Sequence, residues 1–341
     1  MQTRYLTKLD TQCAAQLLKD GALVGIPTET VYGLGANGLD EAAVRGIFAA
    51  KGRPQDNPLI LHIPSADWLE RYCRDIPDAA YALAERFWPG PLTMILSRKE
   101  LVPDVVTAGL DTVGMRCPDH EVCREIIRLA GVPVAAPSGN RSGKPSPTRA
   151  EHMREDMDGR IHAVVDGGPC GVGVESTIVD LTCTPPRLLR PGGVTLEQLR
   201  DVLGEVEIDP AVVRGMKEGE KPRAPGMAYR HYAPEAPVTV VAGTPEQTAA
   251  YIAAHADEGD GVLCFDEYIG LFPRQDARRQ VKYLGPAEDK QAQARNIFDA
   301  LRAFDHTGVT AIWAQCPDQR DIGLAVANRL NKAAGFRIIE V

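Results

Sequence analysis

No C-x-x-C pair occurs among the eight cysteines, which stand at positions 13, 73, 117, 123, 170, 183, 264 and 316. Thiols scattered in this way argue against a zinc site and against a small disulfide scaffold, and point to a reduced, cytoplasmic compartment. No apolar run approaches the length of a membrane span. The opening MQTRYLTKLD is too polar for a secretion signal, so a soluble chain with no membrane partner is expected. Net positive charge is also missing: the balance is −8, which excludes a basic nucleic-acid coat. The excess acid is concentrated in residues 1–210, with 29 Asp/Glu against 22 Lys/Arg, whereas residues 211–341 hold 17 against 16. There is no G-x-x-x-x-G-K-[ST], so any ATP site is not of the Walker type. Neither a G-x-S-x-G nor a cysteine beside an obvious base is present, which leaves no signature of a covalent nucleophile.

What is present is a globular composition, 44% hydrophobic and 25% charged, over 341 residues, long enough for two domains. TQCAAQLLKD (11–20) suits a helix and ALVGIP (22–27) a buried strand. EAAVRGIFAAKGR (41–53) has helical spacing with Asp40 as N-cap. Strands are expected at 58–63, 91–97, 112–116, 132–138, 163–168, 176–181 and 187–192. The last three follow one another too closely for a βαβ series, so the first part reads as α/β with a mixed sheet. From about 205 to 236 the chain is rich in proline and glycine and reads as a linker, yet it carries Tyr229, His231 and Tyr232 together. Strand–helix alternation then resumes to the C-terminus, which implies a smaller, largely parallel sheet at roughly 237–341.

The segment PTETVYGLGANG contains a literal G-x-G-x-x-G at Gly33, Gly35 and Gly38. In a dinucleotide fingerprint the first glycine ends the strand and the helix begins within the motif. Here the apolar strand ends near Pro27 and the helix starts after Asp40, so no nicotinamide or flavin site is expected and the glycines are read as shaping a turn. The polar head, Thr28, Glu29, Thr30 and Tyr32, follows a strand, where α/β proteins place ligands. Its hydroxyls could serve a small polar substrate or cap the loop internally.

Other segments carry groups suited to polyanions. KGRPQDNPL places Lys51 and Arg53 at a helix end ahead of Asn57 and His62. Favourable placement at a helix C-terminus explains such cations in any soluble protein, but arginine also forks onto phosphate oxygens. APSGNRSGKPSPT (136–148) is dense in hydroxyl, amide and cationic groups and could form an anion nest, or be an ordinary polar loop. Arg116 and Arg190 end apolar strands, where a guanidinium is costly to bury unpaired. Either alone would suit a structural salt bridge. Together with Lys51 and Arg53 they suggest a converging cationic site and chemistry by phosphate positioning, as in phosphoryl and nucleotidyl transfer.

In order, PTETVYGLG, KGRPQDNPLILH, TVGMRCP, APSGNRSG, ESTIVDL and LLRPG resemble the YrdC-like family, the threonylcarbamoyl-AMP synthases, over about residues 10–205. The trailing APGMAYRHYAP and second α/β domain resemble its longer, two-domain form. The resemblance implies a twisted mixed YrdC-like sheet with helices over 1–208, a linker or lid over 209–236 and a Rossmann-like domain over 237–341. It implies a nucleotidyltransferase that condenses L-threonine, bicarbonate and ATP to threonylcarbamoyl-AMP and pyrophosphate. The product would go to a downstream threonylcarbamoyl transferase complex for the N6-threonylcarbamoyl modification of tRNA adenosine 37.

Carried over by position, Thr30, His62, Arg116 and Ser176 would contact threonine. Lys51, Arg53, Asn57, Thr112, Ser138, Asn140, Ser146 and Arg190 would contact ATP, with Lys51, Arg53 and Arg190 neutralising charge during the reaction. Magnesium would ride on the nucleotide rather than on protein side chains, and Tyr229, His231 and Tyr232 would form a lid. Ala136 departs from the pattern, which has a hydroxyl residue there, and is left out of the site. Two alternatives accompany the resemblance. One is a double-stranded RNA-binding module, against which the acidic balance of 1–210 weighs, leaving at most a weak RNA contact. The other is carbamoyl transfer, as in larger hydrogenase-maturation proteins whose zinc-finger segments this chain lacks.

Overall fold

Asp40 starts a helix at Glu41–Lys51 by accepting hydrogen bonds from the backbone N–H groups of Ala42 and Ala43, and Gly52, in the left-handed conformation, ends it. Its buried residues Ala43, Val44, Ile47, Phe48, Ala50 and Lys51 recur at three- and four-residue intervals, so one face turns inward and carries Lys51 with it. The helix expected at 11–20 forms at Thr11–Lys19. Between them, Val24–Ile26 pairs antiparallel with Gly33–Asn37, so Gly33 and Gly35 lie in a strand rather than in a turn. They permit close packing. A Cβ on Gly35 would lie 2.9 Å from a Val134 methyl and 3.2 Å from the Val24 carbonyl oxygen. The turn follows at Gly38, against the Pro133 carbonyl.

The computed structural model describes residues 1–216, 222–227, 231–272 and 280–341. One compact unit comprises Met1–Ser142, Ser146–Gly171 and Glu175–Ala228. Its eleven-stranded sheet runs, edge to edge, Arg4–Thr7, Ala163–Asp166, Val24–Ile26, Gly33–Asn37, Val134–Ala135, Ile60–His62, Thr112–Arg116, Leu92–Ser97, Thr177–Asp180, Arg187–Arg190 and Glu207–Ile208. Parallel and antiparallel neighbours alternate irregularly, which is the mixed sheet that the sequence predicts.

The register sets up the polar end of this sheet. His62 pairs with Arg116, Arg116 with Thr93, Thr93 with Ile178, and Ile178 with Arg190. Cross-strand partners share a face, so these residues form one row across five strands. Two residues along the strands, on the same face, Ile60 and Ile95 lie opposite Gly114, and join Ile178, Leu189, Ala211, Ala224 and Met227 in an apolar cluster. The polar row thus stands at the rim of a greasy floor.

The second unit comprises Gly143–Pro145, Val172–Val174 and Tyr229–Val341. Its five strands, in the order Gln280–Gly285, Gly261–Phe265, Ile312–Gln315, Val238–Ala242, Ile338–Glu340, are all parallel, as its alternating pattern predicts. The helix Pro245–His255 is set by a capping box between Thr244 and Gln247. Gln315, fully buried, ties this sheet together: its oxygen accepts from Phe265 N–H, and its amide donates to the Pro245 carbonyl and the Thr248 hydroxyl.

Candidate active site

The PTET head follows the strand Val24–Ile26; Pro27, Thr28 and Thr30 are buried and Glu29 is partly buried. The Thr28 hydroxyl donates to the Val31 carbonyl at 2.6 Å and accepts from the N–H groups of Thr30 and Val31. Its single proton is therefore used, and in the 2.8 Å contact between the two hydroxyls Thr30 must be the donor. Thr28 thus caps the loop from within, whereas the Thr30 oxygen keeps acceptor capacity.

Arg116 ends the strand Thr112–Arg116 and places its Nη2 2.7 Å from Glu29 Oε1, with both side chains largely buried. The charges are close but misaligned. Neither Glu29 oxygen, nor Nε or Nη2 of Arg116, makes a hydrogen bond, and Nδ1 of the adjoining His62 is likewise without a partner. Burial, and then the Arg116 charge, push the His62 imidazole down to about 3, so it is neutral in ordinary buffers. Buried polar atoms are costly when they lack hydrogen bonds, and several in one place leave hydrogen-bonding capacity at this end of the sheet.

Beyond Arg116 the row continues through hydroxyls. Thr93 Oγ1 lies 2.8 Å from Ser176 Oγ, and Arg190 donates from Nη2 to Ser176 Oγ at 3.1 Å, from Nε to Ser176 O at 3.0 Å and from Nη1 to Pro225 O at 3.2 Å. Gly192 is required beside this point: a Cβ there would lie 2.3 Å from Thr177 N and 2.4 Å from the Glu175 carbonyl. Ser146 donates to Glu175 at 2.5 Å.

The helix Glu41–Lys51 supplies the other group. Lys51 donates to the carbonyl oxygens of Ser138 and Asn140, and Ser138 Oγ donates to Asn140 Oδ1 at 2.6 Å, so the loop after Val134–Ala135 is wrapped on the lysine. Arg53 Nη2 donates to the carbonyls of Asn57 and Pro58, while Asn57 Oδ1 is buried without a partner.

The fold places His62, Arg116, Ser176 and Arg190 along the polar row, with Thr30 following Glu29 in the chain and Ser146 bonded to Glu175 next to Ser176, and it places Ser138 and Asn140 around Lys51, with Arg53 and Asn57 two to six residues beyond it. Thr112 lies away from the polar row, but the parallel register that pairs Ile60 with Gly114 puts it beside the Asn57–Pro58 segment that Arg53 holds. It stands at the opposite end of the strand from Arg116, roughly 13 Å away at about 3.3 Å per residue. Of the linker residues, Tyr229 lies outside the described residues. Tyr232 is buried in the second unit, with its ring 5.2 Å from Phe298 and the Arg329 guanidinium 5.7 Å away, and the His231 ring lies 5.5 Å from it. Ala136 uses its backbone N–H on the Ile60 carbonyl. Two further residues join this polar cluster. Along the chain Glu29 is one polar residue among several, and its pairing with Arg116 needs the tertiary fold, while Thr93 looks like one polar residue in an apolar strand.

An α/β unit whose mixed sheet ends in buried guanidinium, imidazole and hydroxyl groups, beside a loop folded on a lysine, is of the class that handles small polar substrates together with phosphates. Residues 16–192 match the family model shared by Sua5, YciO and YrdC proteins, described as "Telomere recombination", and residues 194–335 match "Threonylcarbamoyl-AMP synthase, C-terminal domain". The chain belongs to the Sua5/YrdC family of threonylcarbamoyl-AMP synthases, in its two-domain form. It is 51% identical to the threonylcarbamoyl-AMP synthase of Pyrococcus abyssi, over 96% of this chain and 95% of that protein. Against the Bacillus subtilis protein of the same name identity is 47%, over 96% and 93%. The crystal structure of P. abyssi Sua5 complexed with L-threonine superposes with a TM-score of 0.90 at 48% identity, covering all of both chains.

Among the described residues no group of three or more His, Cys, Asp or Glu could hold a metal ion, all eight cysteines are free, and no helix is long and apolar enough to cross a membrane.

Proposed function

We propose that this protein condenses L-threonine, bicarbonate and ATP to threonylcarbamoyl-AMP and pyrophosphate, for the threonylcarbamoyl modification of tRNA. The observation that carries the assignment to this site is the set of buried polar atoms without a hydrogen bond on His62 and Arg116, at the end of the sheet that also holds Ser176. Here Arg116 receives the threonine carboxylate as a charge-assisted pair. Thr30, Ser176 and neutral His62 bind the remaining polar atoms.

ATP lies with its phosphates toward Lys51, Arg53 and Arg190, and Asn57, Thr112, Ser138, Asn140 and Ser146 complete its contacts. The carbamate of threonine attacks the α-phosphorus, the bond to the β-phosphate oxygen breaks, and pyrophosphate leaves. Guanidinium and ammonium groups offset the charge that builds on the transferring oxygens. Arg190 holds Ser176 directly, so the threonine and nucleotide groups are fixed relative to each other, as in-line attack requires. The residues assigned to the phosphates are cationic, which suits phosphate oxygens but not a metal ion, so magnesium would be held by the nucleotide and would supply further charge neutralisation there. Residues 1–208 form the catalytic domain, 209–236 the linker and 237–341 the second domain in this proposal, and the cytoplasm is the compartment.

The test is pyrophosphate release by the purified chain. It should require ATP, threonine and bicarbonate together, and release without threonine would refute the assignment. Salt-dependent binding of double-stranded RNA by a chain that releases no pyrophosphate would favour an RNA module instead.

A further inference from the structure

We propose that Glu29 is the carboxylate that receives the ammonium group of threonine and removes its proton; this rests on the threonine site proposed above. Arg116 and Glu29 present opposite charges with their nearest atoms 2.7 Å apart, yet both Glu29 oxygens and two Arg116 nitrogens lack hydrogen bonds. A pair serving stability alone would align its donors and acceptors, because a buried ion pair repays desolvation only with good geometry. Held misaligned, the two groups match a zwitterion: the guanidinium takes a carboxylate and the carboxylate takes an ammonium. A free α-amino acid carries both charges on one carbon.

Threonine enters as the ammonium form, which has no lone pair to attack carbon. Transfer of one ammonium proton to Glu29 leaves a neutral amine and a carboxylic acid. The nitrogen then bonds to the carbon of bicarbonate, a C–O bond of bicarbonate breaks, and the departing hydroxide leaves as water with a second nitrogen-bound proton. The product is the carbamate with its single negative charge.

The surroundings of Glu29 do not compete for this role. Titratable and charged neighbours are Arg116, Arg124, His120 and the thiols of Cys117, Cys123 and Cys170. Burial raises the thiols to about 11, 12 and 12 and lowers His120, so thiols and imidazole are uncharged between pH 7 and 9.

The experiment compares wild type with E29Q in two measurements. Calorimetric binding of threonine and of its deaminated analogue, 2,3-dihydroxybutanoate, should show a wild-type preference for threonine of at least about tenfold, and E29Q should lose it. In pyrophosphate release, the kcat deficit of E29Q should shrink about tenfold per pH unit from pH 7 upward, as more threonine arrives already deprotonated. A structural role for Glu29 would weaken both ligands alike and leave the deficit constant with pH, and either result overturns the proposal. Should E29Q not fold, E29D, which keeps the charge on a shorter arm, should show a partial loss of the preference, and an undiminished preference overturns it. If wild type releases no pyrophosphate dependent on threonine and bicarbonate, the proposed function falls, while the zwitterion preference is still decided by the binding measurement.

Discussion

Replacing His62 with glutamine tests the electrostatics of the polar row through stability rather than turnover. His62 is 3% exposed, and burial together with Arg116 moves its imidazole from the ordinary 6.5 to about 3. The folded chain therefore keeps it neutral, while the unfolded chain takes up a proton once the pH drops below 6.5. The sign follows: this group's contribution is fully present above pH 6.5 and is lost as the pH falls from 6.5 toward 3. Through that window the loss is about 1.4 kcal/mol per pH unit, on the order of 5 kcal/mol if the whole window were crossed. The glutamine of H62Q keeps a polar side chain and does not titrate. Urea unfolding at pH 7, 6, 5 and 4 should give a wild-type stability that falls more steeply than that of H62Q, by roughly 1 kcal/mol or more per unit, with carboxylate titration cancelling in the difference. The imidazole resonances of the folded protein should keep their neutral positions down to pH 4. Parallel stability curves, or a folded-state imidazole titrating near 6.5, would refute the reasoning.

Arg190→Lys keeps the charge but loses the fork to Ser176 O, Ser176 Oγ and Pro225 O, so kcat/KM for ATP should fall about 10²-fold in pyrophosphate release while Arg116 and His62 are untouched. Gly192→Ala inserts a methyl 2.3 Å from Thr177 N, where only backbone surrounds it; a stability loss of about 2 kcal/mol or more and at least a tenfold rise in the threonine KM are expected in denaturation and steady-state assays. Chelating magnesium should abolish pyrophosphate release, and adding it back should restore release, while calorimetric threonine binding without nucleotide stays unchanged.

Much of the chemistry was legible along the chain because it sits at the ends of apolar strands. A strand such as TVGMR announces Arg116 as a polar group about to be buried, and the helical spacing of EAAVRGIFAAK turns Lys51 toward the core with Val44 and Phe48. The α/β class, the mixed first sheet and the parallel second one followed from the same periodicities. Gly33 and Gly35 look like a turn along the chain because nothing local shows that a neighbouring strand packs against them; the role of Gly35 depends on Val24 and Val134. The place of Tyr232 likewise depends on Phe298, some sixty residues further on, which gives that ring a packing partner in the second unit.

The sequence by itself determined which residue types end which strands, where helices begin, and that cations suited to anions stand in separate segments, since each of these depends on neighbours within a few positions. Only the tertiary structure decided that His62, Arg116, Thr93, Ile178 and Arg190 form one row, because strand order and register are settled by how distant apolar faces pack and not by local propensity. It also decided that Thr28 caps its own loop while Thr30 keeps an acceptor, and that Glu29 meets Arg116 with both oxygens unspent. Hydrogen-bond direction and ion-pair alignment are properties of atoms within about 3 Å of each other, and contacts of that kind across 87 residues of chain are set by the folded sheet.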